Sequence, residues 1–477
     1  MGKHGQICPL FLILLPLAAP IAAQAQFSYA TNAEAITLSG YSGPGGAVTI
    51  PSAIKGLRVT DIGRNAFYNC TKLTSVSIPS SVTNIGAFAF KNCTSLTNAT
   101  IPDSVTSIRE AAFESCTGLA SITIPGSVTS MGELTFSGCT GLTNATMADG
   151  LTTIGVDAFL GCSSLTSITI PGSITKFGPY AFKDCSKLTT LALANGLAAV
   201  GDAAFESCGN LARVTIPGSV TNLGDGAFSG CTNLAALAVD PQNTVYSSKD
   251  GVLFNKSQTT LIEHPAGGAG KSYAIPGGVT SIGEEAFADC GSLTSVTIPG
   301  SGTNIGDGAF AGCSNLTSAS VPNSVTSIGG AAFFHCARLA RVTIPGGVHN
   351  IESYLFSSCS TLTNVRIPDG VTNIAHDAFS ECTSLTNVAI PESVTRIGQD
   401  AFYGCTNLTS VTIPGSVTNI EPFAFEGCTS LTSVHFGGNA PTVSQSLFFS
   451  DTNATVYYLP DTTGWSSTFG GRPARSR

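Results

Sequence analysis

Charge is scarce in this 477-residue chain: Asp, Glu, Lys and Arg together make up 10% of it. Ser, Thr, Gly and Asn carry the polar surface instead. The net charge is −8, and the repeats described below contain no run of Lys or Arg. That argues against nucleic acid as a partner, because its phosphates need clustered cations. Arg472, Arg475 and Arg477 near the end read as a solvated tail. Long apolar runs are also missing. Leu10–Leu17 is too short to span a bilayer and is broken by Pro16, and no later run reaches spanning length, so no transmembrane span is predicted in the mature chain. Catalytic and metal signatures are missing as well. There is no C-x-x-C pair, no recurring Cys–His spacing, no G-x-S-x-G elbow and no H-E-x-x-H helix motif. Gly306-Asp-Gly308-Ala-Phe-Ala311 fits a loose dinucleotide fingerprint but has no βαβ unit around it. No catalytic residue, metal ligand or cofactor is expected.

What the chain does have is a period. Cys70, Cys93, Cys116, Cys139, Cys162, Cys185, Cys208 and Cys231 recur every 23 residues. After one interruption, Cys290, Cys313, Cys336, Cys359, Cys382, Cys405 and Cys428 resume the same spacing. Each of these has Phe three residues before it and Leu three residues after it. A fixed period in this range means a solenoid, in which stacked units bury a face that no single unit could bury alone.

Each position in the unit has a physical task. Val296-Thr297-Ile298 alternates with period two, as a half-buried strand does, and Pro299 ends it. Val417 and Ile420 supply inward side chains on a second short extended segment. A glycine follows that Ile in most units, as at Gly283 and Gly306, and is read as permitting a tight turn. Glu421 takes its place in the last unit. Ala286, Phe287, Cys290 and Leu293 fall on one face of a helical turn. Asp225, Glu284 and Asp307 would start such turns, where negative charge suits a helix N-terminus, with a calcium site as the lesser reading. About 17 rungs at the usual strand spacing give an arc on the order of 80 Å.

Leu408-x-x-Val411-x-Ile413 matches the strand signature of leucine-rich repeats. With Ile-Pro after the strand and Ala-Phe-x-x-Cys before the next, residues 45–436 resemble the BspA-like leucine-rich-repeat family. The fold class read here is an α/β solenoid: a right-handed superhelical stack of short strands and helical turns with one β-hairpin insertion. One departure stands out. The position three after the strand Ile, an Asn ladder in ordinary leucine-rich repeats, holds Ser127, Ser173 or Gly347 here. The turn must therefore be satisfied in another way.

Residues 1–25 read as a secretory signal peptide, with Lys3 and His4, the apolar core and Ala23-Gln-Ala25. Residues 26–51 read as an N-terminal β cap and 52–239 as the first block of repeats. Residues 240–275 form an insertion in which Val252-Leu-Phe254 and Thr260-Leu-Ile262 flank a hairpin turn. It is either a structural decoration or a protruding binding loop. Residues 276–436 form the second block, in which Gly302 replaces an inward Val and predicts a packing defect. Residues 437–477 are read as a C-terminal cap and tail, with Trp465 sealing the last rung.

Equivalent cysteines of stacked rungs point the same way, ~4.8 Å apart, beyond the usual ~3.5–4.5 Å Cβ separation of a disulfide. They are read as buried free thiols acting as small hydrophobes. His264, His335, His349, His376 and His435 lie at unrelated repeat positions and read as incidental surface or loop residues.

The outward strand positions are the candidate recognition face. They are rich in Ser and Thr, and the candidate binding residues are Arg213, Arg341, Arg366, Asn364 and His435. Arg341 and Arg366 come from successive units and should lie close together. Thr there is also simply a good strand former, so the same face could be no more than a soluble surface. The preferred reading is an exported, non-enzymatic binding or adhesion protein, secreted or at the cell surface and monomeric. Its partner would be an extracellular protein or polysaccharide, as the BspA-like resemblance implies. A passive envelope or matrix component without a specific ligand is the alternative.

Overall fold

Alternation in the sequence becomes strand geometry directly. Ser121–Ile124 is a strand with Ile122 and Ile124 buried and Ser121 and Thr123 exposed. It pairs in parallel with Asn144–Met147, so that residues 23 apart sit side by side. The second extended segment does the same on another face: Ser130–Met131 pairs in parallel with Ser107–Ile108 and with Thr153–Ile154. This computed structural model describes residues 26–477 apart from residues 33, 269, 444 and 445. The signal segment read at residues 1–25, Cys8 included, lies outside the described residues.

The helical turns expected before each cysteine do not form, and no helix occurs among the described residues. The reason lies in the backbone. The residues five before and one before every repeat cysteine have positive φ, as at Asn65 (59°) and Asn69 (61°), or Phe88 (58°) and Asn92 (61°). A left-handed residue every fourth position cannot propagate a right-handed helix. The segment is instead a chain of tight turns. Tyr68 N donates to Asn65 O at 3.0 Å and Cys70 N to Phe67 O at 3.1 Å. The alternate N–H groups reach forward into the next rung, Phe67 to Ala89 O at 2.7 Å and Asn69 to Lys91 O at 2.9 Å. On the other edges they reach back, Thr83 N to Thr60 O at 2.8 Å and Gly86 N to Ile62 O at 2.7 Å. The architecture is therefore a β-solenoid of stacked parallel strands and turns, not α/β.

The core is a set of ladders. Phe67 to Phe228 stack ring on ring at 4.8–5.5 Å. Each cysteine from Cys93 onward donates its thiol to a carbonyl of the previous rung, as Cys116 does to Phe90 O at 3.1 Å. All fifteen repeat cysteines are free, and all but Cys70 are buried. The missing Asn ladder is replaced by hydroxyls. Ser127 Oγ donates to Val105 O at 2.6 Å and Thr106 Oγ1 to Thr83 O at 3.2 Å. The glycine after the inward Ile serves contact rather than turning. A Cβ on Gly86 would lie 2.8 Å from both Ile62 O and Gly63 C. At Gly302 the expected packing defect is closed by the neighbouring side chain: a Cβ there would meet Ile298 Cγ2 at 3.1 Å.

The insertion joins two cores. Tyr246–Lys249, Val252–Asn255 and Thr260–Glu263 form an antiparallel sheet, and the last of these pairs in parallel with Ser281–Ile282 to start the second block. Leu253 packs with the first core, while Phe254 and Leu261 pack with the second. His264 is not a surface residue. It is buried, stands at the phenylalanine position and stacks on Phe287 at 5.0 Å. Burial pushes its imidazole down to about 4. Beside it, burial pushes the Glu263 carboxyl well up.

Both ends are closed by aromatics. Phe27–Thr31 pairs antiparallel with Ala35–Tyr41, and Tyr41 stacks on Phe67 at 5.1 Å. Past residue 437 the stack adds one degenerate rung. Phe448 continues the ring ladder 5.8 Å from Phe425, and Asp451 stands where a cysteine would. Trp465 then covers the end, stacked on Tyr458 at 4.9 Å and packed on Phe436 at 5.0 Å.

Candidate functional site

The strands set the outward face rung by rung. In Arg213–Ile216, Arg213 and Thr215 are exposed while Val214 and Ile216 are buried. In Asn364–Arg366, Asn364 and Arg366 are exposed on either side of buried Val365. Arg341 is exposed beside Ser318 of the preceding rung. Arg213, Arg341 and Arg366 form no ion pair among the described residues. Their guanidiniums are left to solvent or to a partner.

Parallel register separates the candidates into two columns. Arg366 lies beside Thr343 of the previous rung, not beside Arg341. Arg341 and Arg366 are therefore diagonal neighbours, one rung over and two residues along. Long side chains can bridge such a diagonal. The pairing between these two rungs is also reduced: both parallel sheets are interrupted there, leaving the bridge from Thr343 to Arg366. The turn edge holds the joint, with Phe333 N donating to Leu355 O at 3.0 Å.

Arg213 lies in the first block, on the far side of the insertion from Arg341. His435 is beside Thr412 in the column of Arg366, with Tyr457 on its other side. Its ring stacks on Tyr457 at 5.2 Å, and burial together with Arg477 lowers its basicity. The five predicted residues are thus spread along one face and do not converge. None of them lines a hollow described below. Such a face suits an extended partner contacted by many rungs, not a small molecule held at one point.

A second surface feature was missed in the sequence. Along the turn edge of the second block, three hollows adjoin. The first is lined by Asp225, Glu284, Glu285, Asp307, Phe334 and Tyr354, among others. The middle one includes Phe334, His335, Asp377, Glu381, Asp400 and Tyr403. The last includes His335, Glu381, Tyr403 and Gly427. Shared residues make them one trough. Asp225, Glu284 and Asp307, read from sequence as helix starts, face this trough instead. Burial raises the Glu284 carboxyl, and Asp225 and Asp307 raise it further. The signal available in sequence was the pair of positive-φ positions. In the second block these hold Tyr354, Asp377, Glu381 and Asp400, residues uncommon in the rest of the unit.

Comparison with known proteins fits this geometry. The pattern of the BspA type leucine rich repeat region, in six copies, matches residues 60–189, 152–266, 269–384 and 349–467. The chain belongs to that family. Among solved structures it is similar to a leucine rich cell surface protein from Faecalibacterium prausnitzii, at 29% identity and a TM-score of 0.56, covering 87% of this chain and 94% of that one. It is similar also to a leucine-rich repeat protein from Eubacterium ventriosum, at 26% identity and a TM-score of 0.56, covering 84% and 93%. Among curated proteins none matches.

Proposed function

We propose that this chain is an exported, non-enzymatic binding or adhesion protein, displayed at or beyond the cell surface. Its partner is an extracellular protein or polysaccharide. The observation that carries this reading is the outward strand face, where rung after rung presents exposed Ser, Thr and Asn together with unpaired Arg213, Arg341 and Arg366. A weakly charged, hydroxyl-rich platform of this length gains affinity from many modest contacts. Membership of the BspA-type family and likeness to a protein described as a cell surface protein support the placement. No described helix is long and apolar enough to cross a membrane.

The test is binding of residues 26–477 to an array of matrix proteins and polysaccharides at two salt concentrations. Saturable binding that the pair Arg341→Ala and Arg366→Ala weakens supports the face. Affinity unchanged by that pair removes it. A blank array from folded protein that cofractionates with the envelope favours a passive structural component.

A further inference from the structure

The turn edge partners its aromatic rings differently in the two blocks. In the first block two of the three rings on this edge, Phe88 and Tyr180, have cations of their own chain, while exposed Tyr68 has none. The Arg64 guanidinium lies 4.6 Å from the Phe88 ring centre, and Lys91 Nζ lies 5.4 Å from it. Lys183 Nζ lies 5.2 Å from the Tyr180 ring. The same lysines pair with carboxylates of the next rung, Lys91 with Glu114 at 2.7 Å and Lys183 with Glu206 at 2.7 Å. One ammonium group thus serves a ring and a carboxylate together.

In the second block the rings and carboxylates remain and the cations do not. The trough presents Tyr354, 41% exposed, and Tyr403, 39% exposed, beside Asp377, Glu381 and Asp400. No Lys or Arg lines any of its three hollows. The carboxylates are met by weaker partners. Ser358 Oγ donates to Glu381 at 3.0 Å, Gln399 Nε2 to Asp400 at 2.9 Å, and His376 lies 3.3 Å from Asp377. A trough with acidic walls and exposed aromatic rings, of which Tyr354 meets the His376 ring edge-on at 4.6 Å, attracts cations both by charge and through the ring faces. Three hollows in line along successive rungs fit an elongated ligand rather than a single ion.

We propose that this trough binds an extended basic polypeptide segment. Its Lys and Arg side chains would occupy the ring-and-carboxylate positions that Lys91 and Lys183 fill in the first block. The trough shares no residue with the outward strand face, so this second surface stands or falls separately from that one.

The probe is a fluorescein-labelled Lys-Ser repeat peptide, titrated with residues 26–477 and read by fluorescence anisotropy at low and physiological salt. Saturable binding that salt weakens is the expected result. The variant Asp377→Asn/Glu381→Gln/Asp400→Asn should lose roughly ten-fold in affinity, from three exposed ion pairs. The variant Tyr354→Asn/Tyr403→Ser, which leaves net charge unchanged, should lose about five-fold. Asn is chosen at 354 because it tolerates the left-handed φ of 58° there. Two controls remove alternatives. Asp103→Asn/Asp149→Asn/Glu392→Gln deletes the same charge from exposed sites outside the trough and should leave binding unchanged. Arg341→Ala/Arg366→Ala should not weaken binding either. An equal loss in the charge control, or none in the tyrosine variant while circular dichroism shows it folded, overturns the proposal. Tyrosine-dependent binding of neutral cellotetraose with no peptide binding also overturns it.

Discussion

Cys93 donates its thiol hydrogen to the carbonyl oxygen of Phe67, 3.1 Å away and one rung back. The contact repeats up the stack, as between Cys382 and Phe356 at 3.2 Å. It explains why a cysteine, rather than alanine or valine, stands there: the side chain is small, apolar and still able to satisfy a buried carbonyl. Replacing Cys382 by Ala should cost about 1–2 kcal/mol, from the void and the lost donor together. Val should cost a similar amount through the donor and overpacking. Urea denaturation of each variant measures this.

The same burial makes the thiols inert. It pushes Cys139, Cys313 and Cys382 up to about 12. Cys70, pushed up to about 11, is the one partly exposed member. Treating the folded protein with a thiol reagent at pH 8 should label Cys70 first and leave the rest unmodified. In denaturant all fifteen should react. Rapid labelling of several thiols in the folded state would contradict the ladder.

Asp451 ends that ladder. It is fully buried, and neither carboxyl oxygen has a hydrogen-bond partner of good geometry among the described residues. Burial pushes its carboxyl up to about 7, with Arg472 pulling the other way. An acid whose folded value is raised favours the folded state while protonated. The contribution is full below about pH 4 and is lost as pH rises toward 7. Protection factors of amides in the C-terminal rung, with the intrinsic rise of exchange with pH divided out, should therefore fall across that window. Asp451→Asn should flatten the response.

His264 has the opposite sign. Its folded value is lowered to about 4 by burial, so the unfolded chain binds more protons between about pH 6.5 and 4. Stability at the joint between the two cores should fall as pH drops through that range. His264→Phe completes the ring ladder onto Phe287 and should remove the acid sensitivity. Thermal melts at pH 4.5 and 7.5 compare the two proteins.

Close approach between rungs is tested at Gly201. A Cβ there would lie 2.4 Å from Gly178 C and from Pro179 N. Gly201→Ala must push backbone aside and should destabilise by about 1–3 kcal/mol. Gly277→Ala, where nothing lies within 4 Å, is the control and should be close to neutral.

Much of this fold could be read from the sequence because period and inward positions coincide. Phe, Cys, Leu and the strand Val and Ile all recur at 23 residues, and each points into the core. The error over helical turns has a definite cause. Apolar residues at i, i+1 and i+4 suit one helical turn and a run of tight turns equally well. What separates the two is the residue before each cysteine, with Asn69, Asn92, Gly138, Gly161 and Gly230 among its occupants. Those are the side chains, or absence of one, that left-handed backbone favours. Candidate residues on the strand face were legible as a face but not as a pattern of neighbours. Register places Arg366 beside Thr343, and no spacing argument alone gives that. The trough was hidden because it is assembled across rungs from positions whose left-handed backbone had gone unrecognised.

The hydrogen bonds between rungs point forward along the turn edge and backward along the other edges. In an α-helix every peptide dipole adds, and the two ends acquire partial charges of opposite sign. Here the two sets largely oppose one another, so their dipoles partly cancel along the stack. A chain built this way can gain or lose whole units with less change in the electrical character of its ends than a helix of the same length would show. Reach can then be set by the number of units, and the caps must cover apolar surface and pair the terminal strands, as Ala35–Tyr41 and Thr455–Tyr458 do.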